Sequence, residues 1–267
     1  MWNDTPIIVS MTSYPRRISN VAYSIFLILS KQTVRPDRVH LWLAKPEFPN
    51  GVSGLPHELQ LIIKHHQVEL HWTDTNTYCF KRHGIFDFLT NERFYCFMID
   101  DDVQYPTNMI ESTLKISNLY PNAIINYTEY GQVYYNGYHQ GHRFPSYKYP
   151  TVNNRWCGQS MIPSWVYPMD ALQPHYVSLR DKYCPVCDET WLTQFFIKFN
   201  IGIFNNSLPW GSELNHHNCN SIGIVKKVGE LDQNGLNFRD RCLLDIFKYV
   251  FPENKEYYTN YFNYGSH

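Results

Sequence analysis

Phe94-Tyr95-Cys96-Phe97-Met98-Ile99 runs directly into Asp100-Asp101-Asp102, with Val103-Gln104-Tyr105-Pro106 following. An apolar run of this aromatic and β-branched content suits a parallel strand buried on both faces. Side chains alternate along a strand, so Asp100 and Asp102 project to one side, roughly 7 Å apart at Cα. Adjacent carboxylates repel one another and sit together most easily where a divalent cation offsets them. Hard oxygen ligands of this kind suit Mg²⁺ or Mn²⁺. In open α/β sheets, ligands bind beyond the carboxyl ends of the strands, and this trio would stand there. The alternative is a solvated turn, for which Asp is well suited. Position and charge density together favour a metal-and-phosphate site.

Strand and helix signals alternate outward from this point. Thr5 to Ser10 reads as a first strand, closed by Thr12-Ser13-Tyr14-Pro15. Ile18, Val21, Ala22, Ile25, Phe26 and Leu29 then repeat with the period of one helix face. Pro36-Asp37 turns the chain into a second strand, Arg38 to Ala44; Pro56 to Gln67 reads as a short helix. Val68 to Trp72 gives a third strand, ending at Asp74, and Lys81 to Leu89 a helix leading into the aspartate strand. Thr107 is placed to cap a helix over Asn108 to Leu119. Such β-α-β units predict an α/β fold with a mostly parallel central sheet flanked by helices. The second half is less regular. Ala123 to Tyr130 and Gln132 to Tyr138 suggest strands, with a hairpin about Gly131; Gly141 to Asn154 reads as a loop. Asp188 to Asn200 predicts a helix with Trp191, Leu192, Phe195, Phe196 and Phe199 on one face. No repeat or low-complexity tract interrupts the chain, which predicts a single domain over residues 1–267.

Composition narrows the function classes. The 267 residues carry a formal net charge of -1 and 18% charged residues, which gives no reason to expect a nucleic acid or an anionic membrane as main partner. The 21 tyrosines and 7 tryptophans suit stacking on sugar rings and nucleobases, or half-buried surfaces. Seven cysteines, an odd number at irregular spacing, argue against a disulfide framework. Cys79 and Cys96 read as small buried hydrophobes. Cys184-Pro185-Val186-Cys187 would need two further ligands to hold zinc; only Cys157 and His175 lie near in sequence, and the zinc reading is disfavoured. Met1 to Pro6 lacks a basic region followed by an apolar stretch, and Ile25 to Leu29 is too short to span a bilayer. No transmembrane segment and a cytoplasmic setting are expected.

Three stretches carry a resemblance. Pro6-Ile7-Ile8-Val9-Ser10-Met11-Thr12-Ser13-Tyr14-Pro15-Arg16-Arg17-Ile18, Lys31-Gln32-Thr33-Val34-Arg35-Pro36-Asp37-Arg38-Val39-His40-Leu41-Trp42-Leu43 and Asp100-Asp101-Asp102 resemble bacterial GT-A glycosyltransferases. The similarity is to the family-2-like enzymes that build capsule, lipopolysaccharide or lipooligosaccharide. It is continuous over about residues 1–110 and patchy afterwards, at Trp156-Cys157-Gly158-Gln159-Ser160 and at Cys184 to Trp191. The family's glycine-rich stretch is reduced here to Gly158, while its paired acid before Trp is kept as Asp188-Glu189. The resemblance implies a GT-A, Rossmann-like sheet, with about residues 1–110 binding a nucleotide-sugar, UDP-sugar favoured, and about 111–267 forming a less regular acceptor and catalytic half. It implies transfer of a hexosyl-type sugar to a glycan or lipid-linked glycan in surface polysaccharide synthesis, with peripheral contact at the inner face of the membrane.

The residue chemistry supports matching roles. Asp102 is the first choice as direct metal ligand; Asp100 would reach the metal through water or hold ribose, and Asp101 would hold ribose or donor sugar. Thr12, Tyr14 and Arg16 lie where base and phosphates would sit, although Arg16-Arg17 is also ordinary helix surface. Asp74 would accept a hydrogen bond from a uracil imide. Lys81 is favoured over Arg82 as a phosphate or base contact, with a solvated helix end as the alternative. Inverting transfer needs a general base, and Asp188, then Glu189, are the candidates; a helix N-terminal carboxylate alone would explain one of them. Trp156 and Trp191 are candidate acceptor platforms or core. His217, beside His216, is a candidate third metal ligand or a surface histidine. Two other classes remain: a sugar-nucleotide nucleotidyltransferase, which would be expected to carry a glycine-rich loop where Thr12 to Arg16 stands, and a non-catalytic carbohydrate-binding protein, which would not need Asp188-Glu189.

Overall fold

Strand alternation in the first hundred residues sorts side chains into two cores, one on each face of a sheet. A computed structural model describes residues 4–127, 133–135, 138–140, 159–205 and 238–255. Strands β1 (Ile7–Thr12), β2 (Arg38–Ala44), β3 (Val68–Thr73) and β4 (Tyr95–Ile99) are joined by α1 (Ile18–Lys31), α2 (His57–Ile62) and α3 (Gly84–Phe88). Ile7, Val9 and Met11 of β1, with Phe97 and Ile99 of β4, face α1, α2 and α4 (Met109–Leu119). Ile8, Cys96 and Met98 face the other way, onto α3 and three later helices. Those are α5 (Pro174–Tyr183), α6 (Asp188–Lys198) and α7 (Phe238–Tyr249). This is the α/β sheet flanked by helices that the sequence predicts.

The sheet has seven strands, completed by β5 (Ile124–Asn126), β8 (Ser160–Pro163) and β9 (Ile203–Asn205), in the order β3-β2-β1-β4-β8-β5-β9. Strand β8 runs antiparallel to both β4 and β5; the other pairings are parallel. Strands β6 (Val133–Tyr135) and β7 (Tyr138–Gln140) form a separate antiparallel pair; Gly131, the expected hairpin centre, lies outside the described residues. The order 3-2-1-4 means that the chain leaves β1 toward β2 and β3, then returns to β4 on the opposite side. The topological switch therefore falls between β1 and β4. Among the described residues no helix is long and apolar enough to cross a membrane.

Several local expectations are corrected. Phe26 is exposed and Ile28 is buried in its place, because the α1 stripe drifts around the helix. Asn108, not Thr107, stands at the N-cap of α4, without a side-chain capping bond. Phe199 lies past the end of α6 and is exposed. Cys79 is half-buried, its thiol donating to the Val186 carbonyl at 3.2 Å.

Gly84 opens α3 against the Trp42 indole. A Cβ there would meet Trp42 Cζ3 at 2.9 Å and Cη2 at 3.1 Å. Trp42 is itself buried and stacked on His71, so it has little room to yield. Gly84→Ala is expected to destabilise the protein by about 1–3 kcal/mol, the usual cost of overpacking, read from urea unfolding.

The imidazoles of β2 and β3 make folding sensitive to acid. Burial pushes His40 down to about 3 and His71 down to about 4, with His71 and Arg38 adding to the effect at His40. An unfolded histidine binds its proton below about pH 6.5. The folded chain excludes those protons, so stability is full above that pH and falls as the pH drops from about 6.5 toward 4. Each ring steepens the fall by about 1.4 kcal/mol per pH unit. Urea midpoints measured between pH 7.5 and 4.5 are expected to follow this slope, and His71→Gln is expected to flatten it.

Candidate functional site

The carboxyl ends of β1 and β4 bring a serine, two arginines and three aspartates to the switch point. Met11 pairs with Ile99, so Ser13 and Arg17 on one side meet Asp100-Asp101-Asp102 on the other. Asp101 is buried. Its carboxylate accepts from Ser13 Oγ at 2.5 Å and from Arg17 Nη1 at 3.0 Å, and its backbone carbonyl accepts from Ser24 Oγ at 2.9 Å. Asp102 Oδ2 lies 2.8 Å from the same Arg17 nitrogen. Burial opposes the charge on Arg17, and Asp101 and Asp102 outweigh it, so the guanidinium is held above its ordinary range.

A second, deeper arginine organises the other half. Arg82 is buried in the 3-10 segment Tyr78–His83, which starts from a left-handed Tyr78 at φ 53°. Its Nη1 donates to Asp100 Oδ1 at 2.6 Å and to the Ile99 carbonyl at 3.2 Å. Its Nε and Nη2 reach Asp188 Oδ2 at 3.0 and 2.8 Å, and Nη2 lies 3.7 Å from Glu189 Oε1. His83 Nε2 stands 2.9 Å from that same Asp188 oxygen. Burial pushes the Asp188 carboxyl up, but Arg82 and His83 outweigh it and hold the acid well below the usual carboxylate range. The amide of Gln159 donates to Asp100 Oδ2.

These contacts sort the predicted residues. Arg82 joins Asp100 to Asp188 and Glu189, nearly ninety residues away in sequence, and Arg17 joins the adjacent Asp101 and Asp102. Asp74 follows β3 at the same edge of the sheet, exposed and 2.6 Å from Lys45 Nζ. Thr12 ends β1 and donates to the Trp42 carbonyl at 2.7 Å; Tyr14 is half-buried beneath the Arg17 guanidinium, 5.5 Å from its ring centre. Arg16 is exposed, and Arg17 is the residue at the aspartates. Lys81 is buried against Glu47 at 3.2 Å and Asn76 at 3.0 Å, away from the aspartate contacts that Arg82 makes. Trp191 is core, not a platform: it is buried with Phe195 and Phe251. Trp156, Gly158 and His217 lie outside the described residues, as does Cys157. Cys184 and Cys187 are buried, the first thiol donating to the second residue's carbonyl at 3.4 Å.

Sequence reasoning missed Ser13, Gln159 and His83 and undervalued Arg17 and Arg82. One signal pointed to Arg82: it sits between Phe80 and Ile85-Phe86, and a cation among such neighbours must be buried and paired.

The cluster's charge bears on whether a metal fits. Five carboxylates (Asp100, Asp101, Asp102, Asp188, Glu189) face two guanidinium groups, Arg17 and Arg82. The excess is registered at Asp102, which burial and then the neighbouring Asp100 push up to about 7 against the pull of Arg17. Asp101 is buried with both oxygens occupied, whereas Asp100 and Asp102 keep side-chain exposures of 35% and 26%, Asp100 with Arg82 and Gln159 on its two oxygens and Asp102 with Arg17 on Oδ2. A hard divalent cation placed here would find Asp102 and Asp100 as its protein ligands, with Asp101 in a supporting place.

No protein-family model matches the chain, and no curated protein matches it. Among solved structures it is similar to S. aureus TarS 1-349 in complex with UDP, over 78% of this chain and 59% of that one, at 11% identity and a TM-score of 0.48. S. aureus TarS 1-349 gives 12% identity over the same shares and 0.47. A further S. aureus TarS structure, 36% covered, gives 12% and 0.45. The chain thus spans less than two thirds of each of these chains. Likeness of this degree carries no argument about activity, so the roles assigned to residues rest on the geometry above.

Proposed function

We propose that this protein is a glycosyltransferase, moving a sugar from a nucleotide-sugar donor, UDP-sugar favoured, to a glycan or lipid-linked glycan acceptor with inversion at the anomeric carbon. The observation that carries the reading is the switch-point network. Partly exposed Asp100 and Asp102 stand at the switch point between β1 and β4, Asp102 held by Arg17 and Asp100 tied through buried Arg82 to a second acid pair at the start of α6. A ligand with phosphates and a ribose suits such a crevice.

In this reading Asp102 and Asp100 hold Mn²⁺ or Mg²⁺, which when bound offsets the charge that builds on a departing nucleoside diphosphate. Arg17 and Arg82 fix the aspartates before the donor arrives, so little reorganisation is needed at the moment of transfer. Asp188, 1% exposed and held by Arg82 and His83, positions Arg82 and is unsuited to meet an acceptor. Glu189, with 20% of its side chain exposed, takes the base role and removes the acceptor hydroxyl proton. Sequence alone ranks these two acids the other way round. A role in bacterial surface polysaccharide synthesis is part of the proposal and rests on the resemblance of residues 6–18, 31–43 and 100–102.

Thermal unfolding of the full chain with UDP-, GDP-, CMP- and dTDP-sugars, each with and without Mn²⁺, tests the reading. One nucleotide class is expected to raise stability, by about 2.7 kcal/mol at a hundredfold excess over Kd, with Mn²⁺ enlarging the shift. No shift with any donor, or a shift unchanged in Asp102→Asn, would overturn it.

A further inference from the structure

Strands β2 and β3 gather a second set of chemistry-bearing side chains, away from the aspartate crevice. Parallel pairing sets His40 beside Glu69 and Trp42 beside His71. Alternation sends Val39, Leu41 and Leu43 into one core, and His40 and Trp42 to the opposite face, where Glu69 and His71 join them. There His40 Nδ1 stands 2.8 Å from His71 Nε2. Glu69 Oε2 lies 3.8 Å from the first nitrogen and 3.9 Å from the second. These three atoms all fall within 4.8 Å of one another, and no other such group of His, Cys, Asp and Glu donors occurs among the described residues.

We propose that His40, Glu69 and His71 form a transition-metal site of the zinc class. Two imidazole nitrogens and one carboxylate oxygen are the borderline donors that Zn²⁺ prefers, whereas Mg²⁺ and Mn²⁺ favour oxygen alone. As a bare pair, the facing nitrogens can share only one proton; a cation accepts both lone pairs. The outer contacts hold the ligands in place. Glu69 Oε1 lies 3.8 Å from Arg38 Nη1, which turns Oε2 toward the histidines. His71 is stacked on Trp42 at 4.2 Å and edged by Phe88 at 4.7 Å, while His40 is fully buried. His71 and Glu69 are partly exposed, which gives the ion an entry path. β3 is an edge strand of the sheet, and the ion clips it to β2.

Chelator-treated full-length protein titrated with Co²⁺ tests the site. Cobalt absorbs visible light strongly in four- or five-coordinate sites with nitrogen ligands and weakly in octahedral all-oxygen ones. One equivalent is expected to bind with intense bands, displaced by one equivalent of Zn²⁺. His71→Ala, on the edge strand, is expected to abolish the bands and weaken Zn²⁺ binding at least a hundredfold, and Glu69→Gln to weaken it at least tenfold. Asp102→Asn is expected to leave the bands unchanged, which separates this site from the aspartate cluster. Absence of intense bands in the wild type, or their survival in folded His71→Ala, would overturn the proposal.

Discussion

Arg82→Ala is expected to destabilise the protein by about 3–5 kcal/mol and to abolish any transferase activity. Removing one partner of a buried ion pair leaves the other charge desolvated, and that cost dominates. Here the stranded group is Asp188, 1% exposed, left with His83 and Glu189 as side-chain partners and the apolar core of α6 around it. Asp100 loses its 2.6 Å contact in the same substitution, and the Ile99 carbonyl loses its donor. Arg82→Lys is expected to recover only part of the loss. A single ammonium cannot span Asp188 on one side and Asp100 on the other as the planar guanidinium does. Urea unfolding checks both variants, with the slope expected to stay at the wild-type value. If Arg82→Ala costs less than about 1 kcal/mol, the network is not the organising element described above.

The first half of the fold was legible because its elements are long enough to display a period. β2 spans Arg38–Ala44 as the alternation of Val39, Leu41 and Leu43 requires, and α1 spans Ile18–Lys31 around its apolar stripe. β8 and β9 were missed for the converse reason. Four residues ending in Pro163 and three ending in Asn205 show no period, and their strand character comes from pairing with β4 and β5. The site was legible where charge density announced it, at Asp100 to Asp102. It was illegible where the chain buries its countercharges. Arg17 and Arg16 are indistinguishable in sequence, as are Lys81 and Arg82; which arginine turns inward depends on the chain's entry into α1, and which of the two buried cations meets the aspartates depends on the turn opened by Tyr78. The proposal ranks Glu189 over Asp188 on the same ground. Burial and a pre-existing ion pair take a carboxylate out of reach of a substrate, and neither is visible in one dimension.

That reversal sets up the second large effect. Glu189→Gln is expected to lower kcat by about 10²- to 10⁴-fold, the usual worth of a general base, with donor affinity unchanged. The substitution keeps the shape of the side chain and leaves Asp188, still paired with Arg82 and His83, to hold the fold. Asp102→Asn is expected to lower turnover as far, but by a different route: the donor-plus-Mn²⁺ complex weakens, because the ligand oxygen loses its charge. Calorimetry of donor binding separates the two, since only the second variant should bind the donor poorly. Asp188→Asn belongs with neither. Its neutral amide leaves Arg82 buried beside a partner without charge, so it is expected to lose stability and activity together. Donor affinity retained in all three variants would remove the cation from the mechanism, and full activity in Glu189→Gln would remove the base from α6.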